Sequence, residues 1–478
     1  MTLIKSVSGI RGTVGGRTGD NLTPLDAVKF TTAYAAFLQQ RFPGRRLKVV
    51  VGRDARISGP MVQSLVNGTL MGMGVDVVDL GLTTTPTIEL SVTEHQACGG
   101  IMLTASHNPV MWNALKLLNA EGEFLNAEEG AEVVRRSENL DETVYAAVED
   151  LGGMERDAAS IEKHIAKVVA LKDVDVPAIQ AAGFKLVVDP VNSTGSLAIP
   201  ALLKALGVEQ VEVINGEADG RFAHNPEPLA AHLTGLSEAV RSHKADAGIA
   251  VDPDVDRLAF MCEDGVLYGE EYTLVTVADY ILSLRSGAAV SNLSSSRALR
   301  DVAEQYGGRY AASAVGEVHV VAKMKAEGAV IGGEGNGGVI YPPLHYGRDA
   351  LVGVALFLTH WAHLRAARGG RLSLSELKQR YPDYTIAKHK MELTPGADIP
   401  ALLAGLERQF QGASETVEIC KEDGLKISFP ARKEWVHLRK SNTEPIIRIY
   451  AESATEQKAL ALAEDMIERI KNQNLRKQ

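Results

Sequence analysis

A serine stands where a strand should end, in Thr104-Ala105-Ser106-His107-Asn108-Pro109. The small and apolar run Gly99–Thr104 leads into it, and Asn108 and Pro109 stop it; proline suits the first turn of a helix. Unpaired backbone N–H groups at such a junction can hold an anion, so this serine could carry a phosphate or pass one on. Downstream, Asp252-Pro253-Asp254-Val255-Asp256-Arg257 ends an apolar run with three alternating carboxylates. Alternate residues of an extended segment share a side, and three like charges there are costly without a cation among them. Oxygen-only ligands favour a hard ion, Mg²⁺ before Ca²⁺. The plainer reading, a solvated acidic turn, sits poorly directly after a buried-looking strand. Arg257 is either a counter-ion or a substrate contact.

Three further loops carry polar chemistry. Gly332-Gly333-Glu334-Gly335-Asn336-Gly337-Gly338 sets an acceptor and an amide two residues apart, which suits sugar hydroxyls; it lacks the Gly-x-Gly-x-x-Gly that opens a dinucleotide-binding helix. Arg439-Lys440-Ser441-Asn442-Thr443-Glu444-Pro445, with Arg448 beyond, could cradle a phosphate. Taken alone, that composition favours a polar hairpin loop. Ser8-Gly9-Ile10-Arg11-Gly12 and Gly52-Arg53-Asp54-Ala55-Arg56 each place arginine in a turn, where simple ion pairing is also expected. Ser106 and His107 are adjacent and point apart, so they form no ready nucleophile–base pair. Neither a Gly-x-Ser-x-Gly elbow nor a Walker sequence is present.

These loops need a scaffold, and hydrophobic periodicity supplies one. Short runs at Leu47–Gly52, Val75–Leu80 and Gly99–Thr104 alternate with helices, the first capped by Ser58, in a β-α-β-α-β order that implies a parallel sheet. The order restarts at Phe184–Val188 and again after Glu271. A long helix is expected over Ala350–Arg368, and Arg368–Tyr384 reads as a linker that lets the last part swing. Helix Ile399–Gln411, three strands and a final helix then suggest a smaller α+β unit. The chain is thus α/β, with three α/β units and one α+β unit.

The totals exclude other classes. With 478 residues, several domains are expected. A net charge of −10 argues against a nucleic-acid surface. Three scattered cysteines give neither a disulfide framework nor a zinc site. No signal-peptide core or membrane-length apolar stretch is read, so a cytoplasmic protein with no membrane partner is expected.

In combination and in order, Ser-Gly-Ile-Arg-Gly, Thr-Ala-Ser-His-Asn-Pro, the aspartate loop, the Gly-Glu loop and Arg-x-Ser-x-Thr-Glu-Pro resemble the α-D-phosphohexomutase superfamily of phosphoglucomutase, phosphomannomutase and phosphoglucosamine mutase enzymes. The resemblance implies four domains around a central cleft, here 1–150, 151–257, 258–370 and 371–478, in a monomer or homodimer. It implies phosphoserine at Ser106, Mg²⁺ on Ser106, Asp252, Asp254 and Asp256, and Arg11, Lys116 and His107 beside the reacting group. Arg257, Glu334, Asn336, Arg439, Ser441, Asn442, Thr443 and Arg448 would bind a sugar phosphate, with a hexose 1,6-bisphosphate as activator and intermediate. This chain departs from the family pattern at Pro253 and Val255, where glycines are usual, at Ala114, and at Asn336 in place of serine. Alignment puts Glu317, not His319, at the position of a proton-transfer histidine. Glucosamine phosphate is the favoured substrate, with glucose or mannose phosphate as the alternative. A serine-nucleophile phosphatase and a catalytically silent sugar-phosphate binder are the rival classes.

Overall fold

The computed structural model describes residues 1–6, 9–141, 143–392, 398–411, 415–440 and 446–475. They fall into two compact units, Met1–Tyr280 with Asn336–Leu377, and Ile281–Gly335 with Lys378–Gln478.

In the first unit the β-branched runs Lys48–Arg53 and Asp76–Leu82 pair in parallel, as does Gly99–Leu103 with Lys48–Arg53. Such strands are apolar on both faces because helices cover both. The sheet has seven strands, in the order Ile4–Ser6, Gly9–Thr13, Trp112–Leu118, Gly99–Leu103, Lys48–Arg53, Asp76–Leu82 and Met154–Arg156. It is mixed, because the connection from Leu103 to Trp112 is too short for a crossover and must return antiparallel. Met154–Arg156 joins this sheet from beyond the boundary expected at 150. Ser58 precedes helix Gly59–Gly72 without capping it. Its hydroxyl instead accepts a bond from Asn113 Nδ2 at 2.9 Å.

A second sheet runs Leu258–Cys262, Ala247–Val251, Lys185–Asp189, Gln210–Val213. Leu258–Cys262, expected in the third domain, pairs antiparallel with Ala247–Val251. Both strands are buried at every residue, so Asp252–Arg257 is the connection of a buried hairpin. Helix Ala350–Ala367 is long and apolar enough to cross a membrane, yet 72% of it is buried inside the protein. Phe357 stacks on Phe260 at 3.9 Å between ring centres, which makes it a core helix. The expected linker Arg368–Tyr384 is not a free tether. It contains helix Leu374–Lys378, buries Leu372, Leu374 and Leu377, and accepts a bond from Trp361 Nε1 at Leu372 O.

In the second unit, Arg309–Ser313, Ala288–Asn292 and Ala329–Glu334 form parallel pairs. A five-stranded antiparallel sheet follows, in the order Thr385–Glu392, Ile446–Ser453, Glu434–Lys440, Leu425–Phe429, Glu418–Cys420. Helices Ile399–Gln411 and Glu456–Leu475 pack on it around Leu406, Phe410, Ala463 and Met466. This is the expected α+β unit with two added strands.

Gly99 starts the strand that delivers the serine, and only glycine fits there. A Cβ would lie 2.0 Å from Tyr34 Oη, which donates to Leu118 O at 2.6 Å. Gly99→Ala should therefore cost about 1–3 kcal/mol by overpacking and by displacing this bond. Urea unfolding checks this, and an unchanged midpoint would contradict it.

Candidate active site

Ser106 is set by a buried polar bracket. Thr104 Oγ1 donates to Asp54 Oδ2 at 2.6 Å and accepts from Ser106 N at 2.9 Å. Arg56, fully buried, pairs with Asp54 at 3.0 Å. Its guanidinium also donates to the carbonyls of Ser106, Asn108, Pro109 and Trp112. One side chain thus gathers four carbonyls of this loop, and Ser106 adopts φ +47°, a left-handed conformation that costs energy outside glycine. The arginine turn Gly52–Arg56 proves to be an ion-paired loop whose carbonyl contacts shape the serine loop.

The hydroxyl donates to Asp252 Oδ2 at 2.6 Å. Asp252, Asp254 and Asp256 are fully buried and bring one oxygen each within 4.8 Å of the others. Asp252 Oδ1 accepts from the backbone N–H groups of Asp256 and Arg257, both at 3.1 Å. Asp254 Oδ2 accepts from Thr85 Oγ1 at 2.5 Å and from Lys116 Nζ at 2.7 Å. Asp256 Oδ2 accepts from Arg348 Nη2 at 2.6 Å. Asp254 Oδ1 and Asp256 Oδ1 are buried with no hydrogen-bond partner among the described residues. Unpaired carboxylate oxygens this deep need a cation, and the all-oxygen set fits Mg²⁺. Val255 takes φ +64°, the conformation for which the usual glycine is suited; for a β-branched residue it is a true outlier. The loop is pinned by Ser193 and Thr194 hydroxyls on Pro253 O, and by Ala350 N on Val255 O.

Charge follows this geometry. Burial and the neighbouring Asp256 and Asp254 push the Asp252 carboxyl well up. Burial alone would raise Asp254 too, but the Lys116 ammonium holds it well below the usual carboxylate range. Against its own burial, Lys116 is held protonated by Asp254 and Asp256. His107 lies 3.4 Å from Ser106 Oγ, and burial with the nearby Arg257 charge pushes it well below the usual histidine range. It is neutral at physiological pH and is not a charged partner of the serine. Arg257 Nε stands 4.0 and 3.9 Å from Asp252 and Asp256, and Nη1 3.4 Å from Glu227. Arg11 opposes Ala114 on the strand beside that of Lys116, and its charge also depresses His107.

The remaining expected residues divide by unit. Asn336, in the first, accepts from Gly338 N at 3.2 Å. In the second, Glu334 Oε1 accepts from Asn292 Nδ2 at 2.8 Å and from Gly316 N at 3.1 Å. Glu317 opens helix Glu317–Glu327 buried, while His319 is exposed. Arg439 and Arg448 are directly opposed on neighbouring antiparallel strands. Like charges so placed repel, which suits an anion between them. Asp423 Oδ2 offsets part of this at 3.2 Å from Arg439 Nε and accepts from Val315 N at 3.1 Å. Ser441, Asn442 and Thr443 lie outside the described residues, as does Ser8.

Sequence reading missed Thr85, Arg348 and a buried charge cluster. His345 Nδ1 lies 3.2 Å from Glu89 Oε2 and Nε2 3.2 Å from Asp349 Oδ2, which His164 Nε2 also meets at 2.9 Å. Arg348-Asp349, an ion pair of types just before an apolar helix, was the available signal, but nothing local says which charge each residue meets.

The sequence matches the phosphoglucomutase/phosphomannomutase family in all four parts. Alpha/beta/alpha domains I, II and III cover residues 3–144, 162–265 and 269–384, and the C-terminal domain covers 388–469. A Thermococcus kodakarensis protein described as phosphoglucomutase/phosphomannomutase is 36% identical over 94% of this chain and 95% of its own. A Sulfurisphaera tokodaii phosphoglucosamine/phosphogalactosamine mutase is 32% identical over 96% and 97%. A solved phosphoglucomutase/phosphomannomutase family protein from Burkholderia thailandensis superposes with TM-score 0.82 at 25% identity, covering 98% of this chain and 96% of that one.

The His345 cluster makes stability pH-dependent. Burial lowers its affinity for a proton, but bonds to Asp349 and Glu89 outweigh this and raise its pKa to about 10. With a reference near 6.5, the stabilisation is complete below about pH 6.5 and is lost as pH rises towards 10, at about 1.4 kcal/mol per unit. The difference in unfolding free energy between wild type and His345→Gln should shrink across that window. A constant difference would contradict the assignment.

Proposed function

Because this chain belongs to the phosphoglucomutase/phosphomannomutase family, we propose that it interconverts hexose 6-phosphate and hexose 1-phosphate through phospho-Ser106 and a hexose 1,6-bisphosphate, with glucosamine phosphate as the favoured substrate. One observation carries the reading: Ser106 Oγ lies 2.6 Å from Asp252, in a carboxylate triad with two buried unpaired oxygens. The names of relatives such as the Sulfurisphaera tokodaii enzyme support glucosamine phosphate; the Thermococcus kodakarensis name supports the glucose or mannose alternative.

A sugar hydroxyl attacks the phosphorus of phospho-Ser106. The new P–O bond forms as the bond to Ser106 Oγ breaks, giving the bisphosphate. The hydroxyl proton passes to a base, for which buried Glu317 is better suited than exposed His319. The second half-reaction returns the other phosphoryl group to Ser106. Phosphoryl transfer is mostly positioning and charge stabilisation, and Lys116 and Arg11 supply fixed positive charge. Mg²⁺ held by Asp252, Asp254, Asp256 and phospho-Ser106 would stabilise charge on the serine oxygen. Neutral His107 orients by hydrogen bonding. Arg257, Glu334 and Asn336 hold sugar and phosphate oxygens, and Arg439, Ser441, Asn442, Thr443 and Arg448 bind the phosphate that is not reacting. The opposed Arg439 and Arg448 favour this over a phosphatase, which needs no second anion site. The four domains carry these roles in order, the first extending to strand Met154–Arg156 and the second to strand Leu258–Cys262. The partner is a small sugar phosphate, not nucleic acid or membrane, and the enzyme is a cytoplasmic monomer or homodimer.

Incubation with glucose 1,6-bisphosphate should leave a phosphate that mass spectrometry maps to Ser106. Ser106→Ala should lose at least about 10³-fold in mutase turnover. Arg439→Ala should raise KM roughly 10- to 100-fold, the worth of a charge-assisted bond. Full turnover without a phosphate on Ser106 would sink the mechanism, and coupled assays across glucosamine, glucose and mannose phosphates decide the sugar.

A further inference from the structure

Among the described residues, Arg348 is the buried cation on the aspartate triad that comes from neither the serine loop's strand nor the aspartate loop. It is 8% exposed and donates to Asp256 Oδ2 at 2.6 Å. Its position is built. The residue sits in an antiparallel bridge with Ile340 and is followed by Asp349, which caps the core helix and pairs with His164 and His345. Its side chain also passes over Gly338, where a Cβ would lie 2.3 Å from Arg348 Cδ. One glycine of the run 332–338 is therefore needed for this arginine and not for sugar.

We infer that Arg348 is a built-in counter-cation of the triad: a positioning residue that keeps Asp256 aimed before metal arrives, and that weakens divalent-metal affinity so the ion can exchange. The inference rests on reading the triad as a metal site. Asp254 and Asp256 divide their oxygens in the same way. Each gives Oδ2 to a protein cation, Lys116 or Arg348, and keeps Oδ1 without a hydrogen-bond partner. A metal at the Oδ1 side thus feels a fixed positive charge across one carboxylate.

Removing Arg348 has three effects on metal affinity, the first opposed to the other two. Asp256 loses one orienting bond, which weakens binding. Repulsion of a doubly charged ion also disappears, and the metal-free site is left with a buried carboxylate compensated only by the more distant Lys116, at 3.5 Å, and Arg257, at 3.9 Å. The last two act together at short range in a poorly screened site, and they outweigh one hydrogen bond.

Titration calorimetry with Mn²⁺ on the full-length enzyme tests this. Arg348→Gln should bind Mn²⁺ at least about tenfold more tightly than wild type, a difference of about 1.4 kcal/mol. Its metal-free Tm should fall, and saturating Mn²⁺ should raise it by more than it raises wild type. Arg348→Lys, which keeps the charge, should stay near wild type. Gly338→Ala, which displaces the arginine, should follow Arg348→Gln and carries the test if that variant does not fold. Equal or weaker Mn²⁺ binding in Arg348→Gln, or in Gly338→Ala where it stands in, overturns the inference while leaving the metal site intact. If wild type binds no Mn²⁺, the reading of the triad falls and the inference with it.

Discussion

Three carboxylates share one buried space at the end of the strand Ala247–Val251, and they can do so only if positive charge sits among them. Much of the first unit is arranged to supply it. Lys116 arrives on an antiparallel strand, Arg348 on the segment before the core helix, and Ser106 presents a hydroxyl to Asp252. Each comes from a different element, so the site cannot form before the sheet and helices have packed. Among the described residues two of the carboxylate oxygens find no hydrogen-bond donor, an arrangement that could take a divalent ion.

Strain marks both loops proposed to do chemistry, as it does a few turns elsewhere such as Val191. Ser106 and Val255 both sit at positive φ without being glycine. The first is held by Arg56, which binds four loop carbonyls at once, and the second by hydroxyls of Ser193 and Thr194 on the carbonyl of Pro253 and by Ala350 N on its own carbonyl. Val255 is fully buried, so apolar burial offsets the backbone cost that glycine would avoid. The altered spacers of this loop are therefore compatible with the same three ligands.

Recognition in the second unit is built from backbone as much as from side chains. Glu334 is oriented by Asn292 and Gly316 N, the preceding residue Val315 donates to Asp423, and Asp423 pairs with Arg439. The acceptor proposed for sugar hydroxyls and the arginine proposed for phosphate are joined through one short loop. The opposed arginines carry a repulsion that a bound anion relieves.

Local pattern was enough for the α/β class, the order of the motifs, Ser106, the three aspartates and the α+β ending, because strand–loop chemistry and hydrophobic period are properties of consecutive residues. Antiparallel edge strands, the strand Leu258–Cys262 and the packing of Arg368–Tyr384 were not legible, since each depends on which neighbour a strand or a leucine finds. The same holds for charge. The sequence by itself shows that Lys116 and Arg348 are cations and that Asp252, Asp254 and Asp256 alternate. Only the tertiary structure decides that Lys116 meets Asp254, that Arg348 meets Asp256, and that His107 beside the serine is neutral. Burial and pairing across 92 and 138 residues set those states, and neither is written in any local stretch of chain.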